Sequence, residues 1–112
     1  PVDHKAVIDA CAANGVVIEI NANPARLDMD WRWIEYALEK GVTLSINPDA
    51  HSFDDMDLMK YGVLVAQKGG LTKAQNLSSR SQKEFETFSI DRNATQCKVR
   101  LYCMPLHYFT KQ

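Results

Sequence analysis

Two short apolar runs stand out along the chain, and each follows a glycine. Residues 16–20 follow Gly15, and residues 42–46 follow Gly41. Both runs have the length and the β-branched composition of strands that are buried on both faces. A glycine just past a helix supplies the left-handed backbone that ends the helix. The pattern therefore predicts, twice, a helix end, a turn and a buried strand.

Apolar residues at helical spacing predict the two helices that lead into these strands. The first helix covers residues 3–14, with Asp3 as its N-cap, and the second covers about residues 30–40. The buried stripe predicted for the second helix consists of Trp31, Ile34, Ala37 and Leu38.

Beyond the second strand the periodicity is weaker. An acidic helix start at residues 52–56 suits the positive N-terminal end of a helix, and residues 61–68 fit a helix or a strand. Gly69 and Gly70 end this element, and a last helix is predicted over residues 81–88. The side chains predicted to face inward are Met56, Met59 and Val63 in the third helix, and Phe85 and Phe88 in the last.

The order helix, glycine, strand, asparagine occurs twice, in residues 12–21 and 37–47. Such a repeat is typical of an α/β fold with parallel strands. Ligands of such folds bind at the carboxyl ends of the strands. Asn21, at the end of the first strand, and Asp49 and His51, just past the second, fall at that edge. The fold class and the candidate site therefore agree.

Asp49 and His51 are the strongest candidates for metal ligands. Residues i and i+2 of an extended chain point to the same side, so one divalent ion can contact both side chains. A carboxylate together with an imidazole suits zinc, manganese or iron. The competing interpretation is a small binding module in which the two residues form only a hydrogen-bonded pair.

The connection after the first strand, residues 21–28, is polar and long for a loop between a strand and a helix. Loops of this kind often carry function, and the planar guanidinium of Arg26 is suited to a phosphate oxygen. The structural alternative is a capped turn in which Arg26 pairs with Asp28. Glu19 lies inside the first strand, and we expect it to have a partner because a buried unpaired carboxylate is costly.

Composition excludes few classes of protein. A net charge of −1 gives no overall attraction to nucleic acid. No apolar run is long enough for a membrane span, the first residues lack the features of a signal peptide, and three cysteines do not form a secreted disulfide framework. The cytoplasm is the expected compartment. Because an eight-fold α/β barrel takes ~250 residues, we expect 112 residues to be part of a larger domain.

Four short motifs occur in a recognisable order, at residues 19–24, 26–28, 49–52 and 61–63. Together they resemble the C-terminal part of a PHP (polymerase and histidinol phosphatase) domain, most of all the version at the C-terminus of bacterial family-X DNA polymerases. The resemblance covers residues 1–88. It implies that the chain is the C-terminal portion of a distorted (βα)7 barrel, which holds up to three metals at its C-terminal edge.

The resemblance also implies an activity. PHP domains hydrolyse phosphoesters, and the family-X version is similar to a manganese-dependent 3'–5' exonuclease and DNA end-processing module of DNA repair. Asp49 and His51 match the last ligand motif of the family, whereas an H-x-H near the domain start and further His and Glu ligands have no counterpart here. We therefore expect weak binding of manganese or zinc, and hydrolysis near background by the 112-residue chain alone.

Other residues at the same edge receive supporting roles. Asn21, Asn23 and Arg26 are predicted to bind the substrate, DNA or a small phosphoester, while Glu19 and Asp28 are predicted to support the ligands. No residue is assigned as an acid or base catalyst. Two alternatives stay open: a non-catalytic structural or DNA-docking remnant, and another PHP phosphatase such as a histidinol-phosphatase-like enzyme. Unpaired strand edges, one of which the tail can cover, predict a homo-oligomer. No membrane contact is expected.

Residues 89–112 show neither helical nor strand periodicity, and the resemblance ends where they begin. Cys97, Cys103 and His107 form a C-x5-C-x3-H pattern, which matches no usual zinc spacing. This tail is left without an assigned role.

Overall fold

The computed structural model of the chain describes residues 2–94 and 101–102. Within them, the helices and strands are α1 (His4–Asn14), β1 (Val17–Asn21), α2 (Ile34–Glu39), β2 (Leu44–Asn47), α3 (Met59–Lys68), α4 (Gln82–Ala94) and β3 (Leu101–Tyr102). Short 3-10 turns lie at Trp31–Trp33, Asp54–Leu58, Lys73–Gln75 and Leu77–Ser79. The α/β class predicted from the repeat is confirmed, and residues 61–68 are helical.

The three strands form a parallel sheet in the order β2-β1-β3. Asn21, the last residue of β1, lies opposite Asn47, the last residue of β2. The other edge of β1 pairs with β3, where Val17 lies opposite Leu101. This edge of β1 was expected to be unpaired or covered by the tail, and the tail segment Leu101–Tyr102 pairs with it at Val17 and Ile18. The parallel arrangement of β1 and β2 is confirmed, while a seven-stranded barrel stays a prediction.

Both ends of the predicted first helix are confirmed. The Asp3 carboxylate accepts a hydrogen bond from the backbone N–H of Ala6 at 3.0 Å, which satisfies one of the donors that a helix N-terminus leaves without a helical partner. Gly15 and Gly41 have φ values of 63° and 77°, the left-handed region that glycine adopts at little cost. These two glycines turn the chain from each helix into the strand that follows.

The core lies on both faces of the sheet. Val17 and Ile18 point to opposite faces of β1, and neither has exposed surface. Helices α1 and α2 contribute Ile8 and Ile34, which are also fully buried. Each fully buried aliphatic side chain stabilises the fold by about 1.5–3 kcal/mol. This packing therefore holds in place the sheet whose strand ends carry the candidate site.

Part of the predicted helix packing is wrong. Four side chains expected to face the core are exposed instead: Trp31, Met56, Val63 and Phe85. The first two lie in 3-10 turns, whose three residues per turn shift the positions of side chains relative to an α-helix. Helix α3 begins only at Met59 and buries Gly62 and Ala66, so its inner face carries small residues. Ile34 and Ala37 of α2 are buried as expected.

Gly62 allows α3 to lie directly against the end of the sheet. A Cβ atom at this position would be 2.6 Å from both Ala22 Cβ and Ile46 Cγ2, far closer than van der Waals contact. Since Asp49 and His51 lie in the connection between β2 and α3, this close packing anchors the helix into which they lead.

Helix α4 continues through residue 88 to Ala94, and the division into residues 1–88 and 89–112 stays a prediction. Cys97, Cys103 and His107 lie outside the described residues. Among the residues that are described, no helix is long and apolar enough to span a membrane. The cytoplasmic location stays a prediction.

Candidate functional site

The carboxyl ends of β1 and β2 bring polar side chains together. Glu19 of β1 accepts a hydrogen bond from the side-chain amide of Asn47 in β2, with 3.0 Å between Oε2 and Nδ2. The expectation that Glu19 has a partner is confirmed. This bond connects the two strands at the edge where Asn21 and Asn47 end them.

The loop after β1 folds back onto the strand end. The Asn21 side-chain oxygen accepts from the backbone N–H of Asn23, and the Asn23 side-chain oxygen accepts from that of Ala25, both at 3.0 Å. The backbone N–H of Asn21 donates to the carbonyl of Asp28, which closes the loop. Asparagine side chains commonly stabilise turns in this way. Asn21 and Asn23 are therefore first of all structural residues of the loop.

Arg26 lies between two carboxylates. Its Nη2 is 3.4 Å from Asp28 Oδ2, and its Nη1 is 3.6 Å from Asp49 Oδ2. The pairing with Asp28 was the structural alternative that the sequence left open, and it is observed. The contact with Asp49 was not foreseen, because it joins the loop after β1 to the connection after β2.

Asp28 is buried, and its ionisation is shifted accordingly. Its side chain is 4% exposed, and burial raises the pKa of its carboxyl, while the positive charge of Arg26 opposes that rise. Glu19 adds a smaller effect in the same direction as burial. Among the described residues, the buried Oδ1 of Asp28 and the buried Nδ2 of Asn21 have no hydrogen-bond partner. The loop thus holds buried polar atoms with unused capacity to accept or donate.

Asp49 and His51 lie in a turn rather than on an extended strand. Strand β2 ends at Asn47, and Asp49 has a φ of 55°. Asp49 and His51 are therefore not the i and i+2 positions of an extended chain, as was expected. The turn instead brings the His51 ring back to the backbone of Asp49, with 2.8 Å between Nδ1 and the carbonyl oxygen. A carbonyl oxygen only accepts, so Nδ1 is the donor of this bond, and in the neutral ring Nε2 then carries the lone pair.

Asp55 holds the exposed turn that carries His51. Its Oδ2 accepts from the backbone N–H groups of His51 at 2.9 Å and of Ser52 at 3.0 Å. These bonds lower the pKa of the Asp55 carboxyl, and the bond from the His51 N–H has the largest effect. From the sequence, Asp55 was expected only as part of the acidic helix start at residues 52–56. The signal was present, since Ser52-x-x-Asp55 has the spacing of a capping box.

The donor types at this edge fit a divalent cation, but the number of donors is small. The Asp49 carboxylate and the Nε2 atom of His51 are an oxygen and a nitrogen of the kinds that manganese and zinc accept. Across residues 2–94 and 101–102, no group of three or more His, Cys, Asp or Glu side chains is arranged to hold a metal ion. The assignment of Asp49 and His51 as ligands stays a prediction, as do the roles of Asn21, Asn23 and Arg26 in substrate binding.

No protein-family model matches the sequence. The chain is 41% identical over 87 residues to the DNA polymerase/3'-5' exonuclease PolX of Bacillus subtilis (strain 168). The match covers 78% of this chain and 15% of the relative, so the chain spans a small part of the length of the curated relative that it matches. The chain is related in sequence to this polymerase and exonuclease over most of its own length.

Proposed function

We propose that the chain is the C-terminal portion of a PHP domain in a DNA polymerase/exonuclease like its Bacillus relative. In this proposal Asp49 and His51 bind a divalent metal, manganese or zinc, in a site that hydrolyses phosphodiesters of DNA. The main support is the orientation of the His51 ring. Its Nδ1–H donates to the Asp49 carbonyl, and metal-binding histidines almost always donate their other ring N–H in this way.

The other residues of the edge have defined tasks in this proposal. Arg26 binds a non-bridging phosphate oxygen through its planar guanidinium, which is held beside the site by Asp28. Asp55 fixes the backbone of His51, and Glu19 fixes Asn47. When bound, the metal supplies polarisation of the phosphoryl group and a nucleophile derived from water at neutral pH.

A second candidate is a non-catalytic DNA-docking or structural piece. One observation favours it: the described residues provide two ligand side chains at this edge, whereas a catalytic zinc usually has three protein ligands. In the proposed function, the missing ligands belong to other parts of the larger domain.

The experiment that separates the two candidates uses a longer protein that contains the preceding region. Release of nucleotides from the 3' end of labelled single-stranded DNA is measured with manganese, for the wild type and for Asp49→Ala and His51→Ala. We expect a loss of at least ~100-fold for each variant, because metal-site changes of this kind remove a large share of catalysis. The matched control is His4→Ala, since His4 stacks on Trp33 with 5.4 Å between ring centres. Undiminished hydrolysis by His51→Ala would rule out the proposed role.

A further inference from the structure

One guanidinium faces two carboxylates at the candidate site, and the two contacts are loose. The Arg26 nitrogens are 3.4 Å from Asp28 Oδ2 and 3.6 Å from Asp49 Oδ2. Strong charge-assisted hydrogen bonds have lengths of about 2.7–2.9 Å. Both contacts are therefore weaker than a charge-assisted hydrogen bond of optimal length.

The two carboxylates differ in how much they depend on Arg26. The Asp28 side chain is 4% exposed, and the Asp49 side chain is 29% exposed. A buried charge that loses its partner is strongly destabilising, whereas a partly exposed carboxylate regains contact with water. Nη2 of Arg26 is consequently the anchored end of the guanidinium, and Nη1, beside Asp49, is the end that can change partner.

Arg26 and a divalent metal compete for the same carboxylate. The oxygen of Asp49 that faces Arg26 belongs to a proposed metal ligand, and two cations at one carboxylate repel each other. A phosphate group that contacts both cations removes this repulsion, because it gives Nη1 a new partner and leaves Asp49 to the metal.

We propose that Arg26 couples the binding of a phosphate group to the binding of the metal at Asp49 and His51. This inference rests on the proposed function. The guanidinium holds Asp49 when the site is empty of phosphate, and it turns to the phosphate when one arrives, pivoting on Asp28. Metal and phosphate then bind better together than either binds alone, by a factor that is the same in both directions.

The test measures manganese binding by the 112-residue chain through the EPR signal of the free ion, with and without thymidine 5'-monophosphate. A titration without protein corrects for the complex between manganese and the nucleotide. We expect the apparent Kd for manganese to fall about tenfold at saturating nucleotide, and the Kd for the nucleotide to fall by the same factor at saturating manganese. An unchanged manganese Kd overturns the coupling and leaves the proposed function standing. An absence of manganese binding in both titrations overturns the coupling in this chain, while the proposed function is decided by the 3'-end assay of the longer protein.

A pair of double variants identifies the residue that carries the coupling. Arg26→Gln with Asp28→Asn removes the guanidinium without leaving a buried carboxylate unpaired. We expect this variant to bind manganese alone more tightly than the wild type does and to show no coupling. The matched control, Arg32→Gln with Asp30→Asn, removes an ion pair of 2.8 Å at the exposed start of the second helical segment, and coupling should be unchanged. Full coupling in the Arg26 variant would show that another group is responsible. If circular dichroism shows that this variant does not fold, the wild-type titrations decide the proposal.

Discussion

At the scale of single residues, Asp28 and Asp55 show how the same side chain takes opposite roles. Burial raises the pKa of Asp28, so its carboxyl keeps the proton to a higher pH in the folded than in the unfolded chain. Backbone N–H groups lower the pKa of Asp55, so the folded protein favours its ionised form. One carboxylate is kept near Arg26 against the cost of desolvation, while the other is used to order the exposed turn that carries His51.

These shifts predict opposite effects of pH on stability. For Asp28, the folded state retains its proton above the ordinary pKa of 3.8, so its contribution to the free energy of unfolding falls as pH rises from that value through the raised pKa. For Asp55, the contribution is present above 3.8 and is lost as pH falls through the lowered pKa. Urea unfolding of the wild type, Asp28→Asn and Asp55→Asn from about pH 3 to 6 measures the contribution of each carboxyl to the free energy of unfolding. A wild type that gains stability relative to Asp28→Asn as pH rises would contradict this assignment.

The sequence predicts individual residues best where the interaction is local. The Asp3 cap and the Arg26–Asp28 pair were open to sequence reasoning, because spacing limits the choices; for Glu19, burial predicted that a partner exists but not that it is Asn47 on the neighbouring strand. The contact between Arg26 and Asp49 was not, since it depends on how two loops from different strands meet. The extended geometry expected for Asp49 and His51 was wrong because the strand ends at Asn47.

At the scale of elements, packing of α3 and support of β2 determine where the site lies. The α/β class, the first helix and the order of the first two strands follow from periodicity and from two glycines. The inner face of α3 could not be predicted in this way, because its closest contact with the sheet is made by Gly62 and no apolar pattern marks that face. The edge of β2 is likewise supported by a segment with no periodicity. In this segment Asn76 forms a backbone bridge to Leu44 of β2.

Gly62→Ala tests the packing of α3 on the sheet. A methyl group 2.6 Å from Ala22 Cβ and Ile46 Cγ2 must displace the helix or the strand end, and overpacking of this kind costs about 1–3 kcal/mol. In an unconstrained helix the same change gains about 1 kcal/mol, so the sign of the effect is diagnostic. The free energy of unfolding is measured in urea, with Leu64→Ala, an exposed position on α3, as the control. A stabilised Gly62→Ala variant would contradict the packing.

Ser78 tests the support of β2. Its hydroxyl accepts from the backbone N–H of Ile46 at 2.9 Å and donates to the carbonyl of the same residue at 2.8 Å. Ser78→Ala leaves both groups without this partner, and we expect a loss of about 1–3 kcal/mol and faster hydrogen exchange at the Ile46 amide. The amide of Ile18, which bonds to the Thr43 carbonyl inside the sheet, serves as the internal control. Equal exchange at Ile46 in wild type and variant would show that Ser78 does not protect this edge.

At the scale of the whole molecule, the chain presents one edge of a site and several exposed apolar side chains. Phe53, Met56 and Leu64 are each more than half exposed, whereas β1 pairs with β2 on one side and, at Val17 and Ile18, with β3 on the other. If the chain self-associates, we expect these apolar side chains to form the contact. Light scattering at increasing protein concentration measures the oligomeric state, and replacing Phe53 and Leu64 by Ser should reduce any association. Association that persists in this variant would exclude that surface.

The central claim is that Asp49 and His51 bind one metal ion, with Nε2 of His51 as the nitrogen ligand. The most direct measurement is a zinc titration of the 15N-labelled chain, followed through the ring nitrogens of His51 and of His4. We expect the Nε2 signal of His51 to shift on zinc binding while Nδ1 stays protonated, and we expect Asp49→Ala to weaken the response. A shift at Nδ1, an equal response from His4, or a response unchanged in Asp49→Ala would contradict the claim.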